Sequence, residues 1–303
     1  MRAVAVFVAV FSVAGVTGPI GPAGAAPLRT VVSVQAGVLT VVDDPGHQAD
    51  ITLIEDRGPR FLGADLVAGP GCTQDGAAVR CNAAPVSRLD IRLGDLRDRL
   101  GFDRSLAFWG KPARFDSGAG DDDIEVGYTV ATVFGGAGRD RISGGMVGSV
   151  VNAGPDNDYM LARASDHRYN GEGGFDTVSY ESDLRNLKAE IRPGGGYAFP
   201  TDPSYNFPTD TFASVEVLIG GRGNDELHAT GAPGTLYSIV DLWPDDTDTF
   251  ISDAAGNTRV VTGPGRAKVF TNNRGPYDEV WCSPTTVLAK IRTDASDPRF
   301  NCR

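Results

Sequence analysis

The sequence is poor in the patterns that mark most hydrolases and most helical proteins. It holds only 3 histidines among 303 residues. No two of them are four residues apart, so the zinc-protease helix motif is absent. A Gly-x-Ser-x-Gly nucleophile elbow is also missing, and no segment shows a convincing period of 3.6 residues. These absences argue against the common protease and lipase classes and against a helical fold.

Long apolar runs are missing after the N-terminus. Residues 1–25 contain Arg2 and the apolar run Ala3–Val16 and end in Ala23-Gly24-Ala25, a pattern typical of a cleaved secretory signal peptide. The apolar run is shorter than the roughly 20 residues that span a bilayer, and no later stretch is a better candidate. We therefore expect a secreted, extracellular protein that does not insert into membranes.

Positive charge is scarce, with 28 Lys and Arg against 39 Asp and Glu and a net charge of −11. An acidic chain of this kind does not suit nucleic acid or anionic lipid as a partner. The hydrophobic fraction of 41% is enough for one or two folded domains. Glycine (39) and proline (19) together indicate many tight turns.

The 4 cysteines do not form a Cys-x-x-Cys pair, which excludes the usual metal and redox motifs. In an exported chain they imply disulfides, for which three connectivities exist. Cys72 and Cys81 bracket Asp75-Gly76, a strong hairpin-turn signal. We therefore favour a Cys72–Cys81 disulfide, which leaves Cys282–Cys302 to close the C-terminal region.

A repeat begins at Phe115, from which every ninth residue is apolar or aromatic. The series is Phe115, Ile124, Val133, Ile142, Val151, Met160, Tyr169 and Val178. An aspartate stands two residues before every second member, and these aspartates, eighteen residues apart, are Asp122, Asp140, Asp158 and Asp176. Another copy of the glycine-rich motif ends in Asp225, and Leu218, Leu227 and Leu236 resume the nine-residue spacing there. The period predicts an all-β fold, a parallel β-roll with eighteen-residue coils.

Stacked coils would place the repeated aspartates about 4.8 Å apart along one edge. A buried column of carboxylates at that spacing repels itself unless cations lie between the rungs. Oxygen ligands without neighbouring histidine or cysteine favour calcium, which accepts 6–8 oxygens. The sequence therefore predicts Ca²⁺ sites between Asp122 and Asp140, between Asp140 and Asp158, and between Asp158 and Asp176.

The predicted ligands are the carboxylates of these four residues and Asp225, together with turn carbonyls near the glycines. These glycines are Gly118, Gly120, Gly135, Gly136, Gly138, Gly154, Gly171, Gly173, Gly220, Gly221 and Gly223. The third and fourth repeats are imperfect, with Pro155, Asp156 and Glu172 at positions where the motif has other residues.

The remaining candidate positions are predicted to have other roles. The other edge of the coil carries Ala131, Ser149 and His167 at the equivalent positions and is expected to be largely metal-free. Asp98 is out of register and is expected to be vestigial or structural. The acidic loop that contains Asp245, Asp246 and Asp248 is expected to be solvated surface.

The segments Gly135–Ser143 and Gly220–His228 match the RTX nonapeptide. On these residues the chain resembles the secreted RTX, or hemolysin-type, calcium-binding proteins of high-GC Gram-positive bacteria. The resemblance implies a calcium-stabilised structural or interaction scaffold without enzymatic activity. It does not identify an extracellular or cell-surface partner.

The predicted layout has four parts: a signal peptide at 1–25, an N-terminal β region at 26–114, the roll at 115–240 and a C-terminal β cap at 241–303. An insertion is expected around 181–213. The alternative function is a β-helix enzyme, a lyase or epimerase that acts on acidic polysaccharide. A pore-forming toxin is disfavoured because no membrane-inserting segment remains after signal cleavage.

Overall fold

The computed structural model describes residues 29–302 with several gaps. The gaps are 56–57, 104–107, 109, 164–165, 203–208, 231–235, 242, 245, 253–256, 272–277 and 295–296. The predicted signal peptide and Asp245 therefore lie outside the described residues. Within them no α-helix occurs, and no helix could span a membrane. The all-β prediction is confirmed.

The strands up to the start of the repeat are the following: β1 (Thr30–Gln35), β2 (Val38–Asp43), β3 (Asp50–Glu55), β4 (Pro59–Gly63), β5 (Leu66–Ala68), β6 (Cys72–Asp75), β7 (Ala78–Cys81), β8 (Arg88–Arg92) and β9 (Arg99–Asp103). The repeat region contains β10 (Pro112–Asp116), β11 (Asp123–Glu125), β12 (Val130–Phe134), β13 (Arg141–Ser143), β14 (Val150–Pro155), β15 (Tyr159–Leu161), β16 (Arg168–Gly173) and β17 (Thr177–Ser179).

The later strands are β18 (Leu187–Arg192), β19 (Gly195–Pro200), β20 (Asp210–Ala213), β21 (Val217–Ile219), β22 (Glu226–Ala229), β23 (Leu236–Val240), β24 (Thr247–Ser252), β25 (Asn257–Thr262), β26 (Arg266–Thr271), β27 (Glu279–Cys282), β28 (Val287–Thr293) and β29 (Arg299–Phe300). All strands belong to two sheets. Sheet 1 has 15 strands and includes β2, β10 and β28; sheet 2 has 14 and includes β3, β11 and β29.

From β8 to β17 the chain alternates strictly between the sheets, so that each pair of strands makes one coil of a parallel β-solenoid. In sheet 1 the pairing runs from Phe115 through Val133 and Val151 to Tyr169. In sheet 2 it runs from Ile124 through Ile142 and Met160 to Val178. All eight side chains are buried in one continuous core. The eighteen-residue coil is confirmed, because its period places every ninth residue inside.

Both sheets continue on either side of the repeat. Before it, β2 and β3 pair in parallel with β8 and β9. Antiparallel strands β1, β4, β6 and β7 extend the sheets further, and a Cys72–Cys81 disulfide joins β6 to β7. After it, β22 to β29 continue the alternation, and a Cys282–Cys302 disulfide fastens the last residues. Both predicted disulfides are confirmed.

The segment predicted as an insertion contributes a hairpin to one sheet only. Strands β18 and β19 lie between β20 and β22 in sheet 1, whereas β17 and β21 are direct neighbours in sheet 2. Past the hairpin the coils are longer than eighteen residues. Leu218 therefore lies opposite Ile239 rather than Leu236, and the nine-residue spacing predicted there is wrong beyond Leu227.

The turns before β11, β13, β15 and β17 share a positive φ at one position. Gly118, Gly136 and Gly154 have φ of 94°, 97° and 122°, and Glu172 holds the equivalent position at 70°. A Cβ atom at Gly136 would lie 1.8 Å from the carbonyl oxygen of Gly118, so the close stacking also requires glycine there. Glu172 adopts the same positive φ although it is not a glycine, which is the residue that favours this conformation.

Replacing Glu172 by glycine should stabilise the protein. A left-handed conformation costs a non-glycine residue about 1–2 kcal/mol. Glycine avoids this cost, but its greater backbone entropy stabilises the unfolded state by about 0.5–1 kcal/mol. Glu172→Gly should therefore raise the free energy of unfolding by about 0.5–1 kcal/mol, measured by urea denaturation. The matched change Gly136→Ala, two coils earlier, should lower the urea midpoint. A lower midpoint for Glu172→Gly would contradict this account.

Candidate metal centre

The four repeated aspartates lie in the turns that lead from sheet 1 into sheet 2, which we call the aspartate edge. Asp122, Asp140, Asp158 and Asp176 each precede a sheet 2 strand by one residue and are at most 2% exposed. Because the inward residue of each strand follows two positions later, the carboxylate enters the coil just before the core begins. The structure thus brings these predicted site residues into one buried column.

One oxygen of each carboxylate binds the neighbouring coil. The backbone N–H groups of Asp98, Asp122, Asp140 and Asp158 donate to Oδ1 of Asp122, Asp140, Asp158 and Asp176 at 2.7, 2.9, 2.8 and 2.8 Å. The ladder then crosses the insertion, since the N–H of Asp176 donates to Oε2 of Glu216 at 2.9 Å. Every coil therefore satisfies a buried amide of the coil before it.

The second oxygen of each column carboxylate has no such role. Oδ2 of Asp122, Asp140, Asp158 and Asp176 is buried and accepts no hydrogen bond from the described residues. Buried carboxylate oxygens without a partner are costly, because the lost hydration is not replaced. A row of four such oxygens on one edge is the arrangement that a cation would complete.

Burial dominates the electrostatics of the column. It raises the pKa of Asp122 and Asp158 to about 7 and that of Asp140 and Asp176 to about 6. Neighbouring carboxylates add to the rise in pKa, for instance Asp140 acting on Asp158, whereas the amide hydrogen bonds oppose it. Near neutral pH the metal-free column is therefore partly protonated, with some of its carboxyl groups neutral and others ionised.

The glycines of the motif leave room beside these oxygens. A Cβ at Gly135 would lie 2.5 Å from Oδ2 of Asp140, and one at Gly171 would lie 2.3 Å from Oδ2 of Asp176.

Some of the predicted turn carbonyls already accept hydrogen bonds between coils. The Ala137 N–H donates to the carbonyl of Gly118 at 3.0 Å, and the Ser117 hydroxyl donates to that of Gly135 at 2.7 Å. Each of these carbonyls keeps one lone pair for a cation.

Asp98 lies in register with the column, contrary to the prediction that it is out of register. Leu100 pairs with Ile124, so Asp98 occupies the same rung position as Asp122. The coil between them is longer than eighteen residues, which hides the match in the sequence. Both carboxylate oxygens of Asp98 accept N–H groups, from Ala49 at 2.7 Å and Gly94 at 2.9 Å.

Asp225 lies on the opposite edge, in a turn from sheet 2 into sheet 1. It is 2% exposed, but its oxygens accept N–H groups from Leu187 at 2.8 Å and Gly221 at 2.6 Å. Burial raises its pKa to about 7. Its environment therefore resembles that of Asp98 rather than that of the four column residues.

A carboxylate cluster next to Asp225 contradicts the prediction of a solvated loop. Asp241, Asp246 and Asp248 are all buried, and one ligand atom from each lies within 4.8 Å of the others. The Asp225 N–H donates to Oδ1 of Asp248 at 2.8 Å. Burial and a hydrogen bond with Asp241 raise the pKa of Asp248 well above its usual range. The missed signal is that Asp248 stands two residues before the inward Phe250, which pairs with Leu227.

The opposite edge carries Ala131, Ser149 and His167 at the level of the column, and the carboxylate of Asp210 follows them. The Ala131 N–H donates to the Ser149 hydroxyl oxygen at 3.0 Å, and the His167 N–H donates to Oδ1 of Asp210 at 2.7 Å. Burial lowers the pKa of His167 to about 4, so its ring is neutral at physiological pH. Asp210 comes from the strand that follows the inserted hairpin, and the eighteen-residue spacing gives no sign of it.

No family profile, curated protein or solved structure matches this chain. Its function must therefore be inferred from the geometry of the site itself.

Without metal, the protein should become less stable as the pH rises. The column carboxyls have folded-state pKa values of about 6 to 7, whereas unfolded aspartates titrate near 3.9. The folded state therefore binds more protons between about pH 4 and pH 7, and stability is lost across that range. Thermal unfolding in chelator should give a Tm that falls as the pH rises through this range. Asp140→Asn should reduce the dependence of Tm on pH, because it removes one of the titrating carboxyls. A Tm that rises from pH 5 to pH 8 would refute this.

Proposed function

We propose that this protein is a secreted, calcium-stabilised β-solenoid of the RTX kind that acts as a structural or interaction scaffold. The observation that carries the proposal is the row of four buried Oδ2 atoms without hydrogen-bond partners. The solenoid fold itself is compatible with a repeat scaffold.

A divalent cation would offset the repulsion between the buried carboxylates of the column. Carboxylates one coil apart repel one another in a poorly solvated edge, and burial has already removed much of their hydration. Bound calcium would supply positive charge and six to eight coordination positions to these oxygens. The only histidine on this part of the solenoid, His167, lies on the opposite edge, so the donor set is oxygen-only and suits calcium better than zinc or copper.

The column residues would hold calcium between successive coils. Each ion would meet Oδ2 of two aspartates eighteen residues apart, with glycine carbonyls of the same turns as further ligands. The Asp241–Asp246–Asp248 cluster offers a second set of buried oxygens on the opposite edge. Asp225 would support this cluster because its backbone N–H donates a hydrogen bond to Asp248 Oδ1.

The burial of the column supports a structural role for the metal rather than a catalytic one. Its carboxylates are at most 2% exposed, so an ion among them would have no open face for a substrate. Structural metal sites are closed in this way, whereas catalytic sites keep a position free. Two disulfides support the extracellular location, because such bonds persist in oxidising compartments.

Calcium added to the chelated full chain should raise its Tm. Each site adds about 2.7 kcal/mol to the free energy of unfolding when free calcium is a hundredfold above Kd. Asp140→Asn should reduce both the number of bound ions, counted by calorimetric titration, and the rise in Tm. Asp121→Asn is the matched control, because the side chain of Asp121 is exposed and contacts Arg139 instead of the column: it accepts the Arg139 backbone N–H at 2.8 Å, which an amide oxygen can also do, and pairs with the guanidinium at 3.3 Å. No response up to about 10 mM calcium, above the usual range for extracellular sites, would reject the function.

The alternative function, cleavage of an acidic polysaccharide, is favoured by one observation. A cavity of about 370 Å³ on the opposite edge is lined by residues that include Glu125, Arg163 and His167. Arg163 offers a cation to a uronate carboxylate, and neutral His167 offers a ring nitrogen. Incubation with acidic polysaccharides should give products with new ultraviolet absorbance if the protein is a lyase. The absence of such products from a panel of uronate polymers would reject lyase activity.

A further inference from the structure

The first coil of the aspartate edge contains an aspartate that the repeat does not account for. Asp43 ends β2, and the loop from Asp44 to Ala49 leads into β3. This loop has no glycine repeat, so its sequence does not resemble the later turns. It nevertheless occupies the rung directly before Gly94–Asp98, because β2 and β3 pair with β8 and β9.

Asp43 is buried and only one of its oxygens is used. The residue is 7% exposed and its side chain 0%. The Thr30 hydroxyl donates to Oδ1 at 2.6 Å, and Nδ1 of His47 lies 2.6 Å from the same oxygen. Oδ2 accepts no hydrogen bond from the described residues. The two contacts on Oδ1 fix the carboxylate so that Oδ2 faces the next coil.

Three oxygens of the loop converge on one point beside that coil. A methyl group built on Gly94 would lie 3.3 Å from Oδ2 of Asp43, 3.4 Å from the His47 carbonyl oxygen and 3.5 Å from the Asp44 carbonyl oxygen. One anionic oxygen and two carbonyl oxygens around a common space are hard ligands of the kind that calcium prefers. Gly94 leaves that space open because it has no side chain.

Carboxylates of the second coil hold the loop in place and add negative charge. The Gly46 N–H donates to Oδ1 of Asp95 at 2.6 Å, and the Ala49 N–H donates to Oδ1 of Asp98 at 2.7 Å. The Gly94 N–H donates to Oδ2 of Asp98 at 2.9 Å. The oxygens around Gly94 are therefore held by hydrogen bonds between the coils and are arranged before any ion binds.

We propose that Asp43 Oδ2 and the carbonyl oxygens of Asp44 and His47 form a further calcium site against Gly94, outside the glycine-rich repeats. Water would complete the coordination, as it commonly does at calcium sites. The site rests on the calcium chemistry of the proposed function but uses a different set of ligands. It would join the N-terminal coil to the column.

Two variants remove this site by different means. In Asp43→Asn the amide oxygen can still accept from Thr30 and His47, while an NH₂ group replaces the free oxygen. Gly94→Ala alters no ligand, but its methyl group fills the space among the three oxygens. Asp44→Asn is the matched control, because its carboxylate only accepts the Arg29 N–H at 3.1 Å and its carbonyl ligand is unchanged.

Native mass spectrometry of the full chain with calcium should count one ion fewer in Asp43→Asn and in Gly94→Ala than in the wild type and in Asp44→Asn. Circular dichroism in chelator checks that every variant folds. An unchanged count in both variants would overturn this site and leave the column standing. A loss in Asp44→Asn equal to that in Asp43→Asn would overturn the ligand assignment. A wild type that binds no calcium would overturn both proposals.

Discussion

The structure depends on buried carboxylates stacked one coil above another. The two oxygens of each carboxylate are in different situations. One accepts a hydrogen bond from an amide of the preceding coil, and the other is buried away from water. Hydrogen bonds of 2.7 to 2.9 Å satisfy these amides at the coil spacing that the parallel strands set. The buried Oδ2 has no hydrogen-bond partner among the described residues in Asp122, Asp140, Asp158 and Asp176. The packing of the coils and the proposed binding of calcium therefore depend on the same side chains.

The aspartates of the solenoid divide into two kinds according to their second oxygen. In Asp98 and Asp225 it accepts the N–H of the glycine four residues earlier. In the turn before Asp140 the corresponding N–H has another partner, because Gly136 donates to the Ala153 carbonyl at 2.8 Å. The partner of one backbone N–H thus distinguishes Asp98, whose two carboxylate oxygens both accept hydrogen bonds, from Asp140, whose Oδ2 accepts none.

The sequence was sufficient wherever the period is uninterrupted. From Phe115 to Val178 it predicted the inward residues, the aspartate edge and the coil length, because eighteen residues return the chain to the same place. It failed at Asp98, Asp248 and Ile239, where added residues lengthen the coil and only strand pairing restores the register. The placement of Asp225 on the opposite edge has the same origin, since the β18–β19 hairpin occupies sheet 1 alone. Asp43 has no repeat around it, and the role proposed for it is inferred from its contacts alone.

The amide ladder of the aspartate edge points in one direction along the chain. From Asp98 to Asp176, each of these aspartates donates its backbone N–H to the carboxylate of the next coil, ending with Asp176 and Glu216 across the insertion. Each coil of the column therefore carries one buried amide that only the following coil satisfies. Because each coil contacts only its neighbours, a solenoid that ended at any of these coils would leave one amide without its carboxylate at its C-terminal face. The two ends of the stack are thus chemically different.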